Sequence, residues 1–221
     1  MGKLVRMGID VGGTFTKAVA IDNETHEIIG KSSVLTTHSA PEGVAKGVIT
    51  VFLKCMQENS IRPEDVVFLA HSTTQATNAL LEGDVAPVGI LAMGKGGLEG
   101  FLAKRQTRIG NLPLVTGREI VTFHKFLPFK DISEEKIAES IKELCEQGAR
   151  VIVATKAFGV DTIDEEVLAQ NVGVKMGIPV SAAHEISKMY GLTVRTRTAV
   201  VNASILPKMM DTANSTEQSV L

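Results

Sequence analysis

Hydrophobic and polar residues alternate through the first 35 residues in a pattern that predicts three short strands. The predicted strands cover residues 4–10, 16–22 and 27–35. Glycines separate the first two strands, and a turn containing Asn23 separates the second from the third. Short turns between consecutive strands favour antiparallel pairing. The chain is therefore predicted to open as a β-meander.

The rest of the chain alternates between helical and strand-like patterns. Apolar residues recur at helical spacing between Pro41 and Asn59, and a continuous apolar run follows at Val66–Ala70. Further strands are predicted at residues 85–93, 119–123, 151–154 and 179–183, and further helices at residues 76–81, 133–147, 163–176 and 193–210. This alternation predicts an α/β fold with a mixed sheet.

The segment between residues 94 and 130 follows neither pattern clearly. We expect a short helix after Gly97, a loop with Pro113, and a connector that contains Pro128. A segment of this kind is typical of an insertion or of a boundary between two halves. We therefore place a candidate subdomain boundary near residues 94–130.

Composition and charge exclude several classes of protein. The net charge is −2 over 221 residues, and 44% of the residues are hydrophobic, which excludes intrinsic disorder and argues against a nucleic-acid-binding domain. No apolar run reaches the roughly 18 residues that a membrane span needs, and the N-terminus lacks a signal-peptide pattern. Cys55 and Cys145 belong to no CxxC pair. We expect a cytoplasmic protein with reduced thiols and with neither nucleic-acid nor membrane partners.

The most informative segment is the turn that follows the first predicted strand, which reads DVGGTFT from Asp10 to Thr16. Glycines let the backbone approach a ligand closely, and consecutive backbone N–H groups in such a turn form an anion-binding nest. Thr14 and Thr16 add hydroxyl groups. We therefore predict that a phosphate group binds at Asp10, Gly12, Gly13, Thr14 and Thr16.

The carboxylate of Asp10 has two candidate roles at the end of its strand. It can hold Mg²⁺ through carboxylate and water oxygens, or it can position a nucleophilic water. The alternative for the whole segment is a tight hairpin in which the glycines serve only the turn geometry. Walker and Rossmann loops are disfavoured, because the segment matches neither GxxxxGK[ST] nor a GxGxxG that opens a helix.

Four segments together resemble the hydantoinase A/5-oxoprolinase family, within the actin, sugar-kinase and Hsp70 superfamily. In the order of that family they are DVGGTFT at 10–16, TTQATNALLE at 73–82, HEIS at 184–187 and RTRTAVVNA at 195–203. The resemblance covers the whole chain and implies a ribonuclease-H-like, actin-like ATPase lobe. The sequence departs from the family pattern at Lys17, Val194 and Arg197, where the family commonly has Asp, Glu and Ser.

The resemblance also implies an activity and its cofactors. Members of the family use ATP to open hydantoins or 5-oxoproline, and related subunits act in carboxylases. ATP would phosphorylate the amide carbonyl or enolate oxygen, after which water or another nucleophile attacks. The implied cofactors are ATP and Mg²⁺, with Asp10 as the catalytic and metal-holding residue.

Polar residues at two predicted strand ends are candidates for binding the small-molecule substrate. Ligands of α/β sheets gather at the carboxyl ends of strands, where the following helix also directs its free N–H groups. With the resemblance, this gives as candidates His71, Thr73, Thr74, Asn78, His184 and Arg195. Structural roles are the alternatives: an N-cap for the two threonines, a hydrogen-bonded structural histidine, and a solvated arginine. A metal site from the two histidines is a weaker alternative.

Two other functions fit the same loop. A small-metabolite kinase of the superfamily would share it, although such a kinase needs its own catalytic Asp and would not be expected to carry the TTQATNALLE segment. A non-catalytic nucleotide-sensing subunit is the third hypothesis.

Superfamily members hold ATP between two lobes, and we find one loop of the GGT type. Residues 1–221 are therefore predicted to be the N-terminal lobe of a longer protein. That lobe would act with a C-terminal lobe, which supplies a second phosphate loop and an adenosine pocket, and with a hydantoinase B-like partner subunit. We expect the chain alone not to hydrolyse ATP.

Overall fold

The chain divides into two compact units in the computed structural model, which describes residues 4–37, 40, 43–73, 75–115 and 117–220. The side chains of residues 73, 75, 212 and 215–220 lie outside that description. Unit 1 comprises residues 1–78 and 209–221, and unit 2 comprises residues 79–208.

Unit 1 contains a four-stranded sheet with a helix on one face. Its strands are β1 (Val5–Val11), β2 (Phe15–Asp22), β3 (Ile28–Leu35) and β4 (Val66–Thr73), in the order β3-β2-β1-β4. The first three pair antiparallel as predicted, and β4 pairs parallel to β1. Helix α1 (Ala45–Glu58) packs on the sheet, a 3₁₀ turn (Pro63–Asp65) precedes β4, and helix α2 (Gln75–Glu82) begins after β4.

Alternation along β1 decides which face of this sheet the helix covers. Met7, Ile9 and Val11 are buried, and they form one core with apolar residues of α1. Arg6 and Asp10 are exposed, because successive side chains of a strand point to opposite faces. The face opposite α1 therefore carries Asp10 and is called the open face below.

Unit 2 contains a parallel four-stranded sheet between helices. Its strands are β5 (Val88–Gly94), β8 (Thr122–Pro128), β9 (Val151–Lys156) and β10 (Val180–Ala182), in the order β10-β9-β5-β8, and a small hairpin joins β6 (Leu112–Pro113) to β7 (Glu119–Ile120). The helices are α3 (Gly97–Thr107), α4 (Glu134–Glu146), α5 (Asp164–Met176), α6 (Ala183–Ile186) and α7 (Leu192–Val220). Helix α7 continues past residue 208, where unit 2 ends, and a 3₁₀ turn (Phe129–Asp131) precedes α4. Every residue of β5 and β9 is buried, as expected for central strands of a parallel sheet.

The predicted α/β fold with a mixed sheet is confirmed. The structure differs from the sequence prediction mainly at β8, which runs to Pro128 instead of ending near residue 123. Proline fits there because β8 is an edge strand and Pro128 is its last residue. The whole segment 94–130 lies within unit 2, where α3 and β8 pack against β5. The final helix extends to Val220, past the predicted end near residue 210, and includes Pro207.

Two features bear on the expectations drawn from composition: the cysteine thiols and the apolar character of the helices. Cys55 is buried and Cys145 is half-buried, and both are free thiols whose pKa values are raised by burial. Within the part of the chain that the structure describes, no helix has the length and apolar character needed to cross a membrane.

Candidate functional site

Hydrogen bonds from the residue after β3 hold the loop between β1 and β2. The Thr36 amide donates to the Thr14 carbonyl (2.9 Å), and the Thr36 hydroxyl donates to the Gly12 carbonyl (2.8 Å). The Gly12 amide closes the turn by donating to the Phe15 carbonyl (3.0 Å). Thr36 therefore positions both ends of the loop, a role that sequence reasoning missed.

The two threonines of the loop occupy different environments. Thr14 is exposed, whereas Thr16 is 0% exposed and its hydroxyl lies 3.2 Å from the Thr36 hydroxyl. Thr16 thus lies beneath the loop and supports its shape. Direct binding of phosphate by Thr14 and Thr16 stays a prediction.

The two glycines of the loop differ in the space around them. A Cβ added at Gly12 would lie 3.0 Å from the backbone oxygen of Phe15, which is too close for an unstrained contact. A Cβ added at Gly13 would lie 3.7 Å from Nδ2 of Asn78, an ordinary contact. A side chain at position 12 would therefore crowd the turn, and the predicted site residue Asn78 lies beside the loop.

This difference gives a stability prediction. Gly12→Ala should lower the free energy of unfolding by about 1–2 kcal/mol, because the backbone must shift to relieve the contact with Phe15. The matched variant Gly13→Ala should change it by less than about 0.5 kcal/mol. Urea denaturation followed by circular dichroism measures both. Equal effects of the two variants would show that the turn is not constrained at position 12.

Asp10 lies on the open face of the unit 1 sheet beside two polar neighbours. The Ser72 hydroxyl donates to Oδ1 of Asp10 (3.1 Å), and the Cα atoms of Asp10 and Lys17 pair across β1 and β2. Lys17 is exposed on the same face. Lys17, at which the sequence departs from the family pattern, therefore places a positive charge near the Asp10 carboxylate.

A cavity of about 640 Å³ opens on this face of unit 1. The cavity contains Asp10, Lys17 and His71, and its full lining is Gly8, Ile9, Asp10, Lys17, Ala18, Val19, Lys31, Ser32, Ser33, Ala70, His71 and Ser72. Burial lowers the pKa of His71, although the charge of Asp10 opposes that shift. His71 pairs with Ile9, which is buried against α1, so its side chain lies on the covered face of the sheet, opposite Asp10. Among the described residues, its buried Nε2 has no hydrogen-bond partner.

The donor set around Asp10 fits Mg²⁺ bound together with a nucleotide. No group of three His, Cys, Asp or Glu side chains among the described residues is arranged to hold a metal by itself. Mg²⁺ commonly takes one or two carboxylates, several waters and substrate phosphates, so it does not need such a group. Asp10 can supply the carboxylate beside the loop between β1 and β2.

Two of the predicted threonines can be placed only in part. Thr73 is the last residue of β4, and its Cα pairs with that of Val11 just before the loop. Its side chain and the whole of Thr74 lie outside the described residues. Their predicted roles in substrate binding stay predictions.

Arg195 is a fully buried residue of unit 2. It is 0% exposed, and its guanidinium N–H groups donate to the carbonyls of Met189 (2.6 Å), Tyr190 (3.3 Å) and Lys156. Its Nε is buried without a partner. Arg195 thus joins the loop before α7 to the end of β9, and its role in substrate binding stays a prediction.

His184 lies in α6, directly after β10, and pairs with a carboxylate. Its Nδ1 is 2.7 Å from Oε2 of Glu166, and both residues are buried. In the sequence, Glu166 is one of the acidic residues in the first turn of α5, and nothing distinguishes its expected role from that of Glu165. The structure shows that Glu166 turns inward, which no sequence signal indicated.

His124 gives a prediction for the pH dependence of unit 2. Burial lowers its pKa to about 4, and the positive charges of Arg108 and Lys104 add to the shift. Its ring bonds to the Thr107 hydroxyl (2.9 Å). His124 binds a proton near pH 6.5 in the unfolded chain but only near pH 4 in the folded chain, so protonation favours unfolding between these values. This contribution should leave stability unchanged above pH 6.5 and lower it by about 2–3 kcal/mol as the pH falls from about 6.5 to about 4.

Urea denaturation between pH 8 and pH 4 measures this effect. The difference in unfolding free energy between wild type and His124→Gln should vary with pH in that window. The difference between wild type and His26→Gln, which alters an exposed turn residue, should stay constant. A His124 difference that does not change with pH would contradict the assignment.

The comparisons with known proteins identify the same family. Residues 6–177 match the family model of the hydantoinase/oxoprolinase N-terminal region. The chain belongs to this family. The resemblance that the four segments indicate is thereby confirmed.

Two solved structures of ATP-dependent enzymes share the fold of this family member. One is nucleotide-free acetone carboxylase, with 17% identity and a TM-score of 0.61 over 99% of this chain. The other is the ATP-dependent caprolactamase from Pseudomonas jessenii, with 20% identity and a TM-score of 0.57 over 97% of this chain. The chain spans only 35% and 34% of those two chains. No curated protein matches the chain significantly.

Proposed function

We propose that this chain is the nucleotide-phosphate-binding part of an ATP-dependent hydrolase that opens cyclic amides of the hydantoin or 5-oxoproline type. The observation that carries the proposal is the loop after β1. Its backbone is held by Thr36, a side chain at position 12 would crowd its turn, and it follows directly on the exposed carboxylate of Asp10.

Each part of the loop has a role in this proposal. The Gly12 N–H serves the turn by donating to the Phe15 carbonyl, and the absence of a side chain at Gly13 lets the backbone approach the phosphate closely. The exposed hydroxyl of Thr14 binds a phosphate oxygen, and Asp10 would hold Mg²⁺ through carboxylate and water oxygens. When bound, ATP would supply a phosphoryl group to the amide oxygen, which makes the carbonyl carbon more reactive toward water. Lys17, on the same face as Asp10, adds a positive charge that favours phosphate.

The cavity on the open face supports a small substrate beside the phosphates. It adjoins Asp10, Lys17 and Ser72, which share that face. Caprolactam, which the name of the P. jessenii enzyme contains, is itself a cyclic amide. We assign His71, Asn78 and the β4 terminus to the substrate side within unit 1, and His184 within unit 2. A C-terminal lobe of the same protein and a hydantoinase B-like subunit remain the proposed partners.

The test uses the complete protein that contains this chain, alone and with its partner subunit. ATP-dependent opening of hydantoin or 5-oxoproline, followed by chromatography of the ring-opened product, is the expected result. A phosphorylated small molecule without ring opening would indicate the kinase alternative. Nucleotide binding without turnover of either substrate would indicate a sensing subunit. ATP turnover by residues 1–221 alone would overturn the two-lobe proposal.

A further inference from the structure

Three cations and an aromatic ring line one cavity on helix α3 of unit 2. The cavity has a volume of about 400 Å³ and is lined by Phe101, Lys104, Arg105 and Arg108. The three cations follow Phe101 by three, four and seven residues, a spacing that places all four side chains on one face of the helix. All four residues are exposed. The positive charge is therefore concentrated in a single concavity.

The other face of α3 holds this cavity on a fixed base. Gly100, Ala103 and Thr107 are buried, and the helix packs against β5. The Thr107 hydroxyl bonds to the ring of His124 on β8 (2.9 Å). The lining residues therefore project from a helix that the core of unit 2 keeps in place.

The three cations are not neutralised by the protein. Among the described residues their side chains have no acidic partner, whereas Lys95 at the start of the same region pairs with Glu99 (3.5 Å). Like charges spaced by four residues destabilise a helix. Their field also reaches the interior, because the charges of Arg108 and Lys104 add to the burial that lowers the pKa of His124. An anion in the cavity would offset this repulsion.

The lining indicates the chemistry of that anion. Guanidinium groups bind phosphate oxygens in a bidentate geometry, and an ammonium group adds a point charge. Phe101 is 62% exposed and offers a ring face beside the cations. The volume lies within the range of about 300–1,000 Å³ that is usual for small-molecule sites. Three cations on one helix do not form the extended basic stripe of a nucleic-acid surface.

We propose that this cavity binds a small aromatic phosphate monoester, whose phosphate contacts Lys104, Arg105 and Arg108 and whose ring contacts Phe101. The site lies within unit 2 and requires no contact with the loop of unit 1. It goes beyond the proposed function and does not depend on it, so a chain without ATP-dependent activity would still bind this ligand.

Calorimetric titration of the full chain with phenyl phosphate, without nucleotide or Mg²⁺, tests the site. Arg105→Gln/Arg108→Gln should raise the Kd by about tenfold or more, because two charged hydrogen-bond donors are lost. The charge-matched control Lys130→Gln/Arg150→Gln, which alters exposed residues outside the cavity, should change the Kd by less than about twofold. Binding that survives the first double variant, or no binding by the wild type at about 10 mM ligand, would overturn the proposal.

A comparison of two anions tests the aromatic contact. The wild type should bind phenyl phosphate about threefold or more tightly than inorganic phosphate, and Phe101→Ala should remove that difference. Equal affinities of the wild type for both anions would overturn the assigned ligand class and would indicate a site for free phosphate.

Proton NMR of the histidine rings locates the bound anion. Phenyl phosphate should move the ring signals of His124, which His124→Gln assigns, and should raise the pKa of His124 because it offsets the charges of Arg108 and Lys104. The signals of His26, an exposed turn residue of unit 1, should stay in place. Unmoved His124 signals would place the anion elsewhere and overturn the proposal.

Discussion

Arg195→Met should lower the free energy of unfolding by about 3–4 kcal/mol, because it removes a fully buried guanidinium that donates hydrogen bonds to three backbone carbonyls. Arg195 is 0% exposed and donates to the carbonyls of Met189, Tyr190 and Lys156. Methionine keeps most of the side-chain volume but donates nothing. The loss should appear as a lower midpoint of urea denaturation. Circular dichroism is a suitable signal because the chain has no tryptophan for fluorescence.

The control for this prediction lies two residues along the same helix. Arg197 is exposed, so Arg197→Met should change the unfolding free energy by less than about 0.5 kcal/mol. If Arg195→Met instead left stability intact and weakened substrate binding, the guanidinium would be a ligand-binding group, as the sequence suggested. The pair of variants thus separates the structural role from the functional one.

The fold could be predicted where each side of an element has a distinct environment. β1 alternates because one face contacts α1 and the other is open, and β9 is apolar from Val151 to Ala154 because a parallel sheet is covered on both faces. β8 gives neither pattern, since most of its residues are half-buried at the sheet edge. Its end at Pro128 depends on pairing with β5, which local sequence does not encode.

The candidate site could be predicted only where it is contiguous in sequence. The acid, glycines and threonines from Asp10 to Thr16 form one turn, and turn chemistry is local. The groups that hold the site come from far along the chain: Thr36 is 24 residues from Gly12, and Ser72 is 62 residues from Asp10. Glu166 is 18 residues from His184. Only the packed structure identifies such partners.

Asp10→Asn should lower ATP-dependent turnover by the complete protein by about 10²–10³-fold, the usual cost of losing one group that stabilises transferring charge. Asparagine keeps the shape of the side chain and an oxygen that can accept from the Ser72 hydroxyl, which lies 3.1 Å from Oδ1. It removes the negative charge that attracts Mg²⁺. Steady-state kinetics at several Mg²⁺ concentrations, with isothermal titration of Mg-ADP, measure the loss.

The matched control removes the neighbour and keeps the carboxylate. Ser72→Ala deletes one exposed hydrogen bond to Asp10, so turnover should fall by less than about tenfold. If Asp10 holds the metal, Asp10→Asn weakens Mg-ADP binding and higher Mg²⁺ restores part of the rate. If Asp10 positions the attacking water, Mg-ADP binds normally and added Mg²⁺ restores nothing. We expect Asp10→Asn to weaken Mg-ADP binding, because the donor set at the strand end fits Mg²⁺ bound with phosphate. Unchanged turnover in Asp10→Asn would contradict both roles of Asp10.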